Sequence, residues 1–381
     1  MVAALHVGKV PPALPSIRQD FGASLGQAGW LLSLVNLTAA LGGMAIALTV
    51  DRFGHLRLVV VGTALCALAS LFGSFAESIQ SLLAWRFLEG LAFVIVTVSV
   101  PTLVLRVTRP PDRHRAMTAW TSYMPAGAGT MMLVAAVILP LTSWRVVWLV
   151  AAGASLAMLV ALAWRAFPRR ELDEVPSPRR PLLNEMVDVG TSPGPIGIAL
   201  CFGAYSCCWL AIVGFLPTLQ VERLGFAPST AAIVTAMVTV ANVVGNLAAG
   251  WLLQRGLSRA TVIIGATIPM AFCAGAIFVD GVPDILRLVF AGVYSAVIGV
   301  VPGALFTGLP VHSPRPELLG ASTGLLMQGS NAGGLIGPPL VGTLVAGGGW
   351  PAAAWLTSSA LTLVVASAAF LQWRERRRFA G

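Results

Sequence analysis

Lysine occurs once in this chain of 381 residues, at position 9, and tyrosine three times. Charged residues make up only 10% of it. An ordinary soluble domain carries about 25% of Asp, Glu, Lys and Arg, so that class is excluded. With one lysine, and that one outside any Gly-Lys-Ser or Gly-Lys-Thr, the chain has no phosphate-binding loop through which ATP could power it. The five cysteines (Cys66, Cys201, Cys207, Cys208, Cys273) all fall in apolar runs. They read as small packing residues, not as a disulfide framework or a metal site. No cofactor and no metal are expected, and no cleavable signal peptide is legible.

What is abundant is apolar surface, with 57% of residues hydrophobic. A bilayer-crossing helix needs about 20 mostly apolar residues. Twelve such spans are expected, near residues 1–15, 28–50, 57–76, 81–105, 116–139, 145–166, 194–218, 228–252, 260–279, 285–309, 320–345 and 351–373. With their connections they use nearly the whole chain and leave no room for a soluble catalytic domain. The fold class expected is an all-α integral membrane protein.

The formal net charge of +9 invites a nucleic-acid partner. The arginines, however, gather in alternate connections, as the positive-inside rule requires, so the partner expected is the lipid bilayer and not a nucleic acid. Both termini are then cytoplasmic, in a bacterial-type inner membrane. Residues 167–193 are rich in proline and charge and read as a cytoplasmic linker. They divide a six-span half, 1–166, from a second, 194–373, which ends in a basic tail, 374–381.

Span 1 as drawn covers only about 22 Å, short of a hydrocarbon core of about 30 Å. A short helix and a start placed downstream of the natural one both account for this, and the second is preferred. Pro11, Pro12 and Pro15 are expected to kink its outer end, with an external loop from Ser16 to Gln27.

The halves echo each other. Arg86 to Pro101 and Arg287 to Pro302 have the same spacing, in spans 4 and 10. Val7-Gly8-Lys9-Val10-Pro11 is echoed by Val213-Gly214-Phe215-Leu216-Pro217. The short charged connection Asp51-Arg52-Phe53-Gly54-His55-Leu56-Arg57 has a counterpart at Gly250 to Arg259.

That repeated connection resembles the loop between helices 2 and 3 of the major facilitator superfamily, Gly-x-x-x-Asp-Arg-x-Gly-x-Arg/Lys-Arg/Lys. Asp51, Arg52, Gly54 and Arg57 fit, and Ala47 replaces the first glycine. The second copy keeps Gly250 and has Gln254 for the acid. Span 4 is similar to the family's Leu-x-x-x-Arg-x-x-Gln-Gly, with Leu82, Arg86 and Gly90, and Glu89 in the Gln position. The resemblance implies twelve helices in two pseudo-symmetric six-helix halves, with a substrate site at mid-membrane between them. It implies a secondary transporter working by alternating access, not an enzyme, with a small-molecule substrate, protons as coupling ion and a monomeric state. Within the superfamily the chain looks most like the cyanate-permease-like small-anion branch.

A charge inside a bilayer costs about 2.5–3.5 kcal/mol on insertion scales, so each one needs a partner, a cavity or a job. In the family, spans 1, 4, 7 and 10 line the cavity. Lys9 there attracts an anionic substrate; the alternative is a lysine snorkelling to the interface. His6 lies one turn away and either shares that face or packs. Arg86 and Glu89, one turn apart on span 4, are the coupling candidates, because an arginine beside a buried carboxylate tunes its protonation. A structural ion pair is the alternative. Arg287 reads as an interfacial snorkeller. Tyr123, Tyr205, Tyr294 and Asn331 are candidate substrate contacts, and Asn36 belongs to the same polar set; the alternative for each is a hydrogen bond between helices. The resemblance assigns Asp51, Arg52 and Arg57 to a cytoplasmic gate near the amino end of helix 11. Span 5 carries only Pro125-Ala126-Gly127-Ala128-Gly129, without the longer Gly-Pro motif of the family's antiporters. Proton-coupled uptake of a small anionic solute is therefore preferred, and drug or metabolite efflux by proton antiport stays open.

Overall fold

A computed structural model describes residues 1–109, 120, 123–165, 182–279 and 281–379. Span 1 is α1 (Val2–Gly8) and α2 (Val10–Phe21). Span 2 is α3 (Leu25–Ser33) and α4 (Leu37–Phe53), joined by a 3-10 turn at Leu34–Asn36. Spans 3 to 6 are α5 (His55–Gly73), α6 (Ile79–Val107), α7 (Tyr123–Ile138) and α8 (Trp144–Arg165). A short helix α9 (Leu182–Gly190) precedes α10 (Pro193–Glu222), α11 (Pro228–Gln254) and α12 (Arg259–Phe278). Span 10 is α13 (Asp284–Ile298) and α14 (Val300–His312), and spans 11 and 12 are α15 (Leu319–Gly348) and α16 (Ala352–Phe379). Among the described residues, nine helices are long and apolar enough to cross a membrane. The broken span 1, the shorter α7 and the glycine-rich α15 complete the twelve.

The polypeptide reverses at opposite ends of the bundle, called here the Gly22 end and the Gly54 end. Both glycines need their identity: φ is +59° at Gly22 and +93° at Gly54, in the left-handed half of conformational space where a Cβ clashes. Gly256, in the second copy of the charged connection, has φ +87°. The repeated motif is thus a repeated turn. Span 2 starts with a capping box, Ser24 accepting from the Gln27 amide and Gln27 from the Ser24 amide.

Three expectations change: where span 1 ends, where it kinks, and what Arg287 does. Span 1 does not end at residue 15: α2 runs on to Phe21, and Gly22 stops it. The kink is deeper than the prolines suggested. Pro11 and Pro12 occupy the first turn of α2 and offer no N–H to the preceding carbonyls, so the helix is interrupted at Lys9. In the linker, residues 166–181 lie outside the described residues, but Leu182–Gly190 is helical. Its Val189 packs with Met44 of span 2 and with Leu318 and Ala321 at the start of span 11, and its Asp188 pairs with Arg315. Arg287, finally, does not snorkel. It is 3% exposed, and its guanidinium donates to the carbonyls of Ile277 (2.6 Å), Val279 (2.7 Å) and Val282 (3.2 Å). The first two carbonyls close α12 and the third lies in the connection to α13, so a buried cation satisfies a helix end that has no donors of its own.

At the Gly22 end the backbones of the two halves approach closely. A Cβ on Gly29 of α3 would lie 2.7 Å from the carbonyl oxygen of Pro338 in α15, and one on Gly342 2.4 Å from that of Leu25. Spans 5 and 8 touch through Met132 and Thr239, Oγ1 to Sδ 3.5 Å. Arg18 of α2 pairs with Glu222 of α10.

A buried charge cluster as the candidate functional site

Four ionisable side chains converge inside the N-terminal half. His6 comes from α1, Lys9 from the break that follows it, and Arg86 and Glu89 from one turn of α6. All four are fully buried. The interruption at Lys9 and the i, i+3 spacing of Arg86 and Glu89 aim them at one another.

Glu89 is the hub. Its Oε1 accepts from the Lys9 ammonium and lies 3.2 Å from His6 Nδ1. Its Oε2 accepts from Arg86 Nη1 at 2.5 Å. Lys9 also donates to Ser70 Oγ of α5 at 2.7 Å, and its Nζ stands 4.4 Å from the centre of the Trp148 ring of α8, a cation–π contact. The Ser70 hydroxyl in turn donates to the carbonyl of Trp148 at 2.8 Å. His6 Nε2 meets Ser155 Oγ at 2.7 Å. Arg86 further donates from Nη1 to the His6 carbonyl at 2.8 Å and from Nε to the Leu31 carbonyl of α3 at 3.1 Å. With His6 neutral, the cluster holds two cations and one anion. Burial of that imbalance is costly unless hydrogen bonds and the aromatic face offset it.

The structure therefore brings Lys9, Arg86 and Glu89 into one cluster, with His6 as a fourth member. Lys9 was expected to face a cavity between the halves. Its neighbours are instead spans 3, 4 and 6 of its own half, because the break in span 1 turns it toward Glu89. Ser70, Trp148 and Ser155 were not anticipated: lone serines and a tryptophan in apolar runs give no signal of partnership in sequence.

The other candidates do not share this site. Tyr123 stacks on Trp120 with centroids 5.3 Å apart and packs with Ala3, Val7, Val35 and Phe93. Tyr205 and Tyr294 are buried in the apolar core with Cys208. Asn331 Nδ2 donates to the Met327 carbonyl of its own helix at 2.7 Å. The side chains of Asp51 and Arg52 lie outside the described residues, and Arg57 is exposed at the start of α5. Asn36, in the 3-10 turn of span 2, is 8% exposed, and its Nδ2 has no hydrogen-bond partner among the described residues. That atom faces Gly334 of α15, 2.9 Å from where a Cβ would stand.

The second half lacks such a cluster at the corresponding positions. Phe215 echoes Lys9, and Phe290 stands 201 positions after Glu89, the offset that relates Arg86 to Arg287. Only the arginine is kept, and it caps a helix.

The family profile described as Major Facilitator Superfamily matches residues 1–327 and, in a second match, 198–379. The chain is 23% identical to the 3-(3-hydroxy-phenyl)propionate transporter of Escherichia coli, over 96% of this chain and 89% of that one. It is 27% identical to monocarboxylate transporter 11 of Mus musculus, over 87% and 75%. The tetracenomycin C resistance and export protein of Streptomyces glaucescens is 30% identical over 42% of this chain, and the match spans 30% of that longer protein. Among solved structures, a bacterial homolog of the human lysosomal transporter Spinster superposes with a TM-score of 0.70 at 16% identity, covering 100% of this chain and 94% of the other. With the twelve-helix fold and a profile match that runs from end to end, the chain belongs to the Major Facilitator Superfamily and is a membrane transporter, not an enzyme.

Proposed function

We propose that this transporter takes up a small organic anion, a carboxylate in particular, together with protons, and that Glu89 with Lys9 and Arg86 is the coupling site. The observation that carries the reading is the hub position of Glu89 between two buried cations. Protonating Glu89 leaves Lys9 and Arg86 without a counter-ion inside the bilayer. An anion arriving between the halves supplies one. Proton and anion then bind together or not at all, which is the requirement for symport. Lys9 keeps its part in attracting the anion, but through release from Glu89 and not as a standing cavity charge.

Two further observations support the substrate class. The unpartnered Asn36 amide between spans 2 and 11 is a donor suited to a carboxylate oxygen. Among the relatives above, the two matched over most of their length are named for carboxylates. Tyr123, Tyr205, Tyr294 and Asn331 are the proposed further substrate contacts, and Asp51, Arg52 and Arg57 the proposed gate at the Gly54 end. In this reading that end is cytoplasmic, with both termini, in a bacterial-type inner membrane; the protein works as a monomer, and its kinship lies with the cyanate-permease-like branch. Residues 1–166 and 194–373 are the two moving units. Efflux by antiport is the second reading, favoured by the similarity to an export protein, which covers less than half of the chain.

The test is uptake into proteoliposomes of radiolabelled aliphatic and aromatic monocarboxylates and their neutral amides, under an inward proton gradient. Wild type should concentrate at least one carboxylate and no amide, and a protonophore should abolish this. Glu89→Gln should lose accumulation and keep counterflow exchange. Accumulation that survives in Glu89→Gln removes the coupling assignment; proton-driven export of the same probes replaces symport by antiport.

A further inference from the structure

The signature of span 4 acts on span 2, at the one place where span 2 departs from an α-helix. The last α-type bond of α3 runs from the Leu34 amide to the Trp30 carbonyl. Leu34–Asn36 then forms a 3-10 turn, and the Leu37 amide bonds to the Leu34 carbonyl. The next carbonyl after Trp30 is that of Leu31, and Arg86 Nε fills its place as donor, at 3.1 Å. One turn further along α6, Gly90 faces the same turn. A Cβ there would stand 2.6 Å from the Val35 carbonyl oxygen and 2.8 Å from Val35 Cα. Arg86 and Gly90 thus grip the turn by a hydrogen bond and by close approach. Glu89, between them, holds Arg86 through Oε2.

Span 2 also lies on the boundary between the halves. Its α3 segment touches span 11 at Gly29 and Leu25, and its α4 segment touches it at Gly43, where a Cβ would be 3.4 Å from Gln328. A turn that changes between 3-10 and α-helix changes how these two segments are set against each other. Each residue rises about 2.0 Å and turns about 120° in a 3-10 helix, against 1.5 Å and 100° in an α-helix. Over the three residues of the turn that amounts to about 1.5 Å of length and about 60° of rotation of α4 relative to α3.

We propose that Arg86 and Gly90 are positioning residues that hold span 2 in its 3-10 turn, so that the charge state of Glu89 sets the orientation of α4 at the boundary between the halves. The inference rests on the coupling role given to Glu89 above. When Glu89 takes a proton, Arg86 loses its anchor and releases the Leu31 carbonyl. The Val35 amide can then close the α-type bond to Leu31, and α4 turns on its axis. In this way the charge state of a buried cluster reaches the boundary between the halves. A mid-helix 3-10 segment at such a place is a common mark of a hinge.

The experiment measures a distance, without substrate. Spin labels go on Phe53, exposed at the end of α4, and on Leu257, exposed in the turn after α11 at the same end of the other half. The five native cysteines are buried. Distance distributions are recorded in nanodiscs for the parent, Arg86→Lys, Gly90→Ala and Glu89→Gln. Arg86→Lys keeps the charge but loses the Nε donor, and Gly90→Ala presses on Val35. Both should move the main distance by roughly 5 Å, the displacement of a side chain at the helix surface for such a rotation. Glu89→Gln should move it the same way. If neither Arg86→Lys nor Gly90→Ala moves the distance in folded protein, the grip on span 2 is refuted. If those two move it and Glu89→Gln does not, the grip stands and its control by Glu89 fails, whatever the uptake assay shows.

Discussion

Arg18 of α2 and Glu222 of α10 form an ion pair that joins the two halves at the Gly22 end, with side chains 21% and 39% exposed. A pair so open to solvent is worth about 1 kcal/mol or less. That is still enough to move the ratio of two transporter states by up to roughly fivefold. Glu222→Gln should therefore favour the state open at the Gly22 end. Spin labels on the exposed Leu141 and Ile285, one in each half at that end, should show a larger long-distance population. The charge swap Arg18→Glu with Glu222→Arg should return it toward the parent. An unchanged distribution in Glu222→Gln would reduce the pair to surface decoration.

The cluster around Glu89 predicts an asymmetry in stability. Glu89→Gln leaves two buried cations beside each other with no anion, and removing one partner of a buried charge set typically costs about 3–5 kcal/mol. Lys9→Met leaves Glu89 paired with Arg86 at 2.5 Å, so the charges that remain balance. Thermal unfolding in nanodiscs, followed by tryptophan fluorescence, should show a clearly larger fall in Tm for Glu89→Gln than for Lys9→Met. Equal losses would mean that Lys9 and Arg86 are not both charged in this state.

The gate proposed from the resemblance has its own test. Asp51→Asn should slow carboxylate uptake while leaving the half-saturating concentration near that of the parent, since Asp51 stands about four helical turns, roughly 22 Å, beyond Asn36 on span 2. Rates equal to the parent would leave Asp51 without a gating role.

Much of this architecture is legible in the sequence because the bilayer imposes one period and one length. Apolar runs of about 20 residues, broken by Gly22, Gly54 and Gly256, give the spans and their order. Arg86 and Glu89 were legible too, because their spacing alone puts them on one helix face. What stayed hidden depends on a third dimension. Lys9 sits on a helix that the prolines interrupt, and which way the break turns it is decided by the partner waiting on α6. Arg287 shows the same limit: its spacing to Pro302 repeats that of Arg86 to Pro101, yet it closes α12 instead of joining a charge cluster. The end of span 1 was misplaced because Ser16, Arg18, Gln19 and Asp20 look like a loop in hydropathy. Helix geometry continues through them to Gly22.

Close glycine contacts separate two functions of α15 that the sequence shows as one small-residue pattern. Gly333 lies against α10 of its own half, where a Cβ would stand 1.8 Å from the Gly203 carbonyl oxygen. The corresponding contact of Gly29 in α3 is with Pro338 and Pro339 of the opposite half. At 1.8 Å the two helix backbones must part, and a packed core resists that by several kcal/mol at worst, typically about 1–3. Gly333→Ala should therefore lower Tm without shifting the Leu141–Ile285 distances, because both backbones belong to the same proposed moving unit. Gly29→Ala wedges the units themselves apart. It should shift those distances in the same direction as Glu222→Gln, with a smaller effect on Tm, since parting the halves at that end is a motion the proposed alternating-access cycle needs. If Gly29→Ala instead destabilised the fold as Gly333→Ala does, with no shift in distance, α3 and α15 would have to move as one body, and the boundary between the units would lie elsewhere.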